Sequence, residues 1–134
     1  MRHFLRGCCR AVLPLAVLPL AGPGCHRAGS GPGGQPPPAD AAVPLEIANH
    51  NWLDVTIYVV RDGQPMRVGI ANASSSASFT LPAHLLGQGR QVRLWGRPIG
   101  GTGGALTETV VVQPGQWIGW TLESDLSLSA IGVY

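Results

Sequence analysis

Residues 54–72 (DVTIYVVRDGQPMRVGIAN) alternate apolar and polar positions on both sides of Asp62-Gly63. Two β-branched runs joined by Asp-Gly are the strongest short-range sign of a β-hairpin with a two-residue turn. Such a turn sets Val59 opposite Met66, Ile57 opposite Val68 and Val55 opposite Ile70. These three pairs are apolar and share one face. Tyr58 with Arg67 and Thr56 with Gly69 share the other. A slip of one residue would mix the faces, so the pattern selects this register. Pro65 falls opposite Val60, where its missing N–H costs the hairpin nothing, and it predicts an unpaired edge beyond that strand.

Further strands are predicted over 45–49, 76–81, 91–97, 105–113, 116–123 and 126–133, with a helical turn at 83–86. Pro114-Gly115 favours a type II turn, which suits a corner between sheets better than a tight hairpin. No segment sustains helical periodicity and no fixed-period repeat is visible. The fold expected is therefore all-β: a single antiparallel β-sandwich of seven to eight strands over 43–134. It has an immunoglobulin-like look, but lacks the cysteine pair of that fold, and its topology stays open. The alternation of 126–134, ending in Tyr134, also suits a membrane barrel. Eight barrel strands of about 9–11 residues would consume nearly the whole domain and leave almost nothing for loops.

The first 42 residues do not share this pattern. Arg2, Arg6 and Arg10 precede an apolar run, AVLPLAVLPLAG, and then small residues and Cys25. Basic, apolar and small-residue segments in that order are a secretory signal. The apolar run is too short to span a membrane, which needs about 20 residues. The segment LAGPGC resembles a bacterial lipoprotein signal, in which the cysteine after a small-residue motif receives lipid. Gly24 fits that motif; Pro23 and Gly22 depart from it. Residues 1–24 are read as the signal peptide and Cys25 as the lipidation site. Residues 25–42 (CHRAGSGPGGQPPPADAA) form a Gly/Pro-rich tether, flexible in its first half and stiff at Pro36-Pro37-Pro38. Cleavage would leave Cys25 as the sole cysteine, so no intrachain disulfide is expected.

Composition excludes several functions. Charged residues make up 12% of the chain, about half the usual share. From Val43 onward five arginines face six carboxylates, a net charge of −1, and the chain has no lysine. Nucleic-acid binding rests on phosphate neutralisation, so a nucleic-acid partner is not expected.

The segments NHNWLDVTIYVVRDGQPMRVG, LPAHLLG and VQPGQWIGWTLESDLSLSAIGVY resemble a family of small bacterial lipoproteins with one β-sandwich-like domain. The resemblance implies an exported β-domain. It brings no assigned activity and no catalytic residues to carry over.

Candidate chemistry is sparse. Asn49, Asn51 and Trp52 form a polar cluster ending in an aromatic, suited to contacting a ligand or partner: amides for hydrogen bonds, indole for stacking. The competing role is a loop in which the asparagines satisfy backbone groups. Trp117 and Trp120 must point to opposite faces of one strand. His50 and His84 are the domain's only histidines and show no metal-ligand spacing. A hydrolase would need one of them beside a serine and a carboxylate, yet no G-x-S-x-G elbow exists. IGGTGG at 99–104 is followed by neither lysine nor helix, so it reads as a strand connection. No metal, cofactor or catalysis is expected. The leading expectation is a binding module held at the membrane of the cell envelope by its lipid, with an envelope protein or glycan as partner. The alternatives are a small carbohydrate- or polar-ligand-binding domain using exposed tryptophans, and an envelope hydrolase.

Overall fold

The structure is a computed structural model and describes residues 37–134. The expected signal peptide, Cys25 and residues 25–36 of the tether lie outside the described residues.

β1 (Val43–Asn49) alternates strictly, with Val43, Leu45, Ile47 and Asn49 inward. β2 (Val55–Arg61) turns Val55, Ile57 and Val59 inward, then β3 (Gln64–Ala71) returns beside it. β4 (Ser75–Leu81) leads to a 3-10 turn at Ala83–Leu85. Five short strands follow: β5 (Gln91–Val92), β6 (Leu94–Pro98), β7 (Ala105–Leu106), β8 (Val110–Val111) and β9 (Ile118–Leu122). β10 (Ala130–Val133) completes the order.

The protein is an all-β sandwich. One sheet runs β10-β9-β1-β4 and the other β3-β2-β6-β7, with β5-β8 as a separate pair. Their inner faces share one apolar core, built from the alternating positions of β1, β2 and β9 with Leu94, Val92 and Val112. Pairing is antiparallel throughout except between β1 and β9, which run parallel. A parallel pair needs a long crossover, and here the whole second sheet supplies it.

The hairpin begins in the expected register: Arg61 faces Gln64, Val60 faces Pro65, Val59 faces Met66 and Tyr58 faces Arg67. β3 is an edge strand, as Pro65 predicted. Beyond Tyr58 the register shifts by one, so Ile57 faces Gly69 and Val55 faces Ala71. The expected pairs Ile57–Val68 and Val55–Ile70 do not form. A β-bulge leaves one residue extra on its strand. Here it turns Gly69 inward, where a Cβ would collide with the Phe79 ring of β4. The bare glycine lets that half-buried ring pack against the core.

Three long predicted strands are shorter than expected. Residues 91–97 break at Arg93, and 105–113 break after Leu106. At the second break the Thr107 hydroxyl accepts from Leu94 N at 2.9 Å and donates to Glu108 O at 2.7 Å. A side chain thus takes a ladder position, and the chain leaves the β6 edge for the β5-β8 pair. The expected strand 126–133 begins instead as a 3-10 turn at Leu126–Leu128, because Asp125 caps Ser127 N at 3.0 Å. Pro114-Gly115 does form its type II turn: Gly115 has φ 89° and Gln116 N donates to Gln113 O at 3.1 Å.

The sandwich has two distinct ends. The tether joins it beside the 113–116 turn. There Arg90 donates through Nη1 to Ala39 O (2.6 Å), through Nη2 to Ala41 O (3.0 Å) and through Nε to Val112 O (2.8 Å). The strand directions carry the connections 50–54, 72–74, 99–104 and 123–129 to the opposite end.

Candidate functional site

The loop end is built around two asparagines. Asn49 occupies the fourth inward position of β1 and is 0% exposed. Its Nδ2 donates to the carbonyls of Leu53 (3.0 Å), Ala71 (3.1 Å) and Asn72 (2.9 Å), and its Oδ1 accepts from Asn51 N at 3.0 Å. Asn51 repeats the motif: its Oδ1 accepts from Leu53 N at 2.9 Å, and its Nδ2 donates to Ser124 O at 2.8 Å. Asparagine amides that bond backbone two residues on are ready-made turns. Ser74 N donates to Asn51 O (2.9 Å) and Ile99 N to Asp54 O (2.8 Å), so all four connections are joined.

This arrangement divides the three residues singled out from sequence. Asn49 and Asn51 face inward, and their amides are committed to backbone groups rather than offered to a ligand. Trp52 lies between two residues pinned to the loop, so its indole is forced outward and is 80% exposed. It stands over a depression of about 670 Å³ bordered by Leu53, Pro98, the 100–104 loop and Asp125. Gly100 and Gly103 in that loop have φ of 78° and 80°, left-handed values that glycine adopts without strain. Ile99 and Leu128 add exposed apolar surface at the same end.

Asp125 sits on the rim. The Ser127 hydroxyl donates to its Oδ1 at 2.7 Å and Ser127 N donates to the same atom at 3.0 Å. Side-chain first and backbone second, these bonds hold its carboxyl below the ordinary carboxylate range. A depressed folded pKa means that the stabilisation is present above the unfolded pKa and is lost as pH falls through the folded value. Ser127→Ala should therefore move the Asp125 titration upward in a carboxyl-carbon NMR experiment. A curve superimposable on the wild type would refute the hydroxyl as the main cause.

His50 contacts Glu123 at 3.4 Å on the surface. The nearby Ser124 hydroxyl donates to the backbone carbonyl of His50 at 3.2 Å, not to its ring. His84 lies at the tether end, in the turn whose His84 carbonyl accepts from Arg61. The two histidines are thus at opposite ends. Among the described residues no group of three or more His, Cys, Asp or Glu comes together to hold a metal ion.

The other tryptophans have separate roles. Trp120 is buried in the core, while Trp117, on the opposite face as alternation required, is 37% exposed. Trp95 is half-buried against Tyr58, with ring centroids 5.1 Å apart. Trp117 stacks on Tyr134, centroids 4.5 Å apart at 22°, a contact that sequence reasoning missed. Its signal was long-range: β9 and β10 pair antiparallel, and residues 117 and 134 exchange backbone hydrogen bonds beyond the last ladder pair.

The sequence matches no protein-family model, and no curated protein matches it.

Proposed function

We propose that the protein is a binding module of the bacterial cell envelope, anchored through lipid on Cys25, which presents its Trp52 end to an envelope protein. The observation that carries this reading is the opposition of the two ends. Arg90 clamps the tether at one, and an 80%-exposed indole stands at the other on a loop braced by Asn49 and Asn51. A tether that enters at one end leaves the opposite end free for a partner. Exposed tryptophan is costly as surface but is a common energetic anchor in protein interfaces, where its large rigid area is buried. The signal-like first segment, the Gly/Pro-rich tether and the resemblance to small lipoproteins support the address. The near-neutral domain favours a partner read by shape and apolar contact over a polyanion.

The test uses the full chain expressed in a bacterial host, with a photo-crosslinking residue at exposed Leu128 of the loop end or at Asp62 of the tether end. Adducts to an envelope protein are expected from position 128 and not from 62. Trp52→Ala should abolish them while changing stability by less than about 0.5 kcal/mol, the usual surface range. Cys25→Ala should move the protein out of the membrane fraction. Equal adducts at both ends, or a Cys25→Ala chain just as firmly membrane-bound, would overturn the reading.

A further inference from the structure

The outer face of the β10-β9-β1-β4 sheet is unusually bare. Exposed sheet faces carry long polar side chains as a rule. Here one row across the four strands reads Ala130, Thr121, Ala48, Ser76, and the next reads Gly132, Gly119, Glu46, Ser78. Nothing in the first row is larger than threonine. The result is a shallow groove of about 340 Å³ floored by the sheet.

One wall of this groove is aromatic. The stacked rings of Trp117 and Tyr134 lie over the two glycines: a Cβ at Gly119 would come within 3.0 Å of Tyr134 Cε2 and 3.1 Å of Trp117 Cζ3, and one at Gly132 within 2.7 Å of the Tyr134 hydroxyl. The glycines are thus what lets the rings settle onto the sheet. Tyr134 remains 64% exposed and Trp117 37%. In the same row, one strand from Gly119, stands Glu46. Neighbouring strands are about 4.8 Å apart, so Glu46 stands one strand over from the strand that carries the aromatic wall, and both line the groove. Glu46 joins no ion pair among the described residues, whose pairs are His50–Glu123 and Arg61–Asp62. Ser76 and Ser78 of β4 line the far side.

We propose that this groove binds a pyranose ring of a neutral or amino sugar. The C–H face of such a ring carries slight positive charge and packs on the negative face of an aromatic. Its hydroxyls, or an ammonium group, donate to an unpaired carboxylate, and charge-assisted bonds of this kind are the strong ones. A flat floor of small residues lets the ring approach the sheet, and the serine hydroxyls add hydrogen-bonding partners. An acidic sugar is disfavoured because its carboxylate would face Glu46. The groove lies on the side of the sandwich and does not include Trp52, so its fate is separate from that of the loop end.

The test titrates the intact chain with three oligosaccharides, of glucose, of glucosamine and of galacturonic acid, followed by backbone amide NMR and calorimetry. Saturable shifts confined to β9, β10 and the Glu46 region of β1 are expected with the first or second and not with the third. Trp117→Ala should weaken binding about tenfold, and Glu46→Gln about tenfold as well. Trp52→Ala should bind as the wild type does. Glu46→Gln removes no packing, so it remains informative even if Trp117→Ala unfolds. No saturable shift with either non-acidic sugar, shifts centred on the Trp52 loops, or unchanged affinity in Glu46→Gln would overturn the proposal.

Discussion

Asn49→Ala is expected to destabilise the domain by about 3 kcal/mol, although it removes only a small amide. The side chain is fully buried and serves the carbonyls of Leu53, Ala71 and Asn72 together with the N–H of Asn51. Each buried backbone group stranded without a partner costs about 1–3 kcal/mol. The partly buried carbonyls of Leu53 and Asn72 will find water, which leaves Ala71 O and Asn51 N to bear most of the loss, about 3 kcal/mol together. At a urea m-value of about 1.5 kcal/mol/M, the midpoint should fall by about 2 M. Asn49→Asp should fare no better, since it keeps the acceptor for Asn51 N but turns a negative charge toward three carbonyls. Equilibrium urea unfolding of both variants beside Trp52→Ala measures the contrast. A loss below about 1 kcal/mol for Asn49→Ala would show that the amide is not the brace of this end.

Trp120→Ala should cost still more, about 3–5 kcal/mol for a buried large aromatic. That is a large share of the roughly 5–15 kcal/mol by which domains are stable. Trp120 is 1% exposed and reaches from its own sheet to the other. There its Cη2 would lie 3.1 Å from a Cβ placed on Gly96. The cavity left by alanine would therefore extend across the thickness of the sandwich, with Val55 and Leu122 on its border. For a domain of this size each kcal/mol lowers Tm by about 4–8 °C, so a drop of about 20 °C is expected in a thermal melt. Far-UV dichroism and calorimetry on the same sample would report it. A drop under about 5 °C would mean that the two sheets close over the gap at little cost.

Short-range chemistry carried most of what could be inferred beforehand. The Asp62-Gly63 turn, the first half of its ladder, the edge position marked by Pro65 and the type II turn at Pro114-Gly115 all follow from local rules. So does the opposed placement of Trp117 and Trp120. Failures arose where a particular side chain overrides the period-two pattern. The hairpin register slips because Phe79, on the other sheet, needs the space that Gly69 leaves. Strand 105–113 breaks because the Thr107 hydroxyl replaces a backbone partner. The alternation of Leu126 and Leu128 loses to the cap that Asp125 makes with Ser127. The inward face of Asn49 was legible, however: Val43, Leu45, Ile47 and Asn49 form one unbroken period-two series. A polar residue closing such a series has to satisfy itself internally, and that distinguishes it from Trp52 three residues later. The Trp117–Tyr134 wall was hidden because its partners meet only through strand pairing.

The parallel register between β1 and β9 also bears on when the chain becomes a folded object. Leu45, near the start of the domain, cannot acquire its neighbour Ile118 until almost all of the sequence has been synthesised. The β2–β3 hairpin needs nothing so remote, and local pairs of this kind assemble far sooner than distant ones. A nascent chain would thus hold a hairpin early and a locked sheet only at the last. On the export route proposed above, such late closure would keep the chain loose for as long as it is being moved.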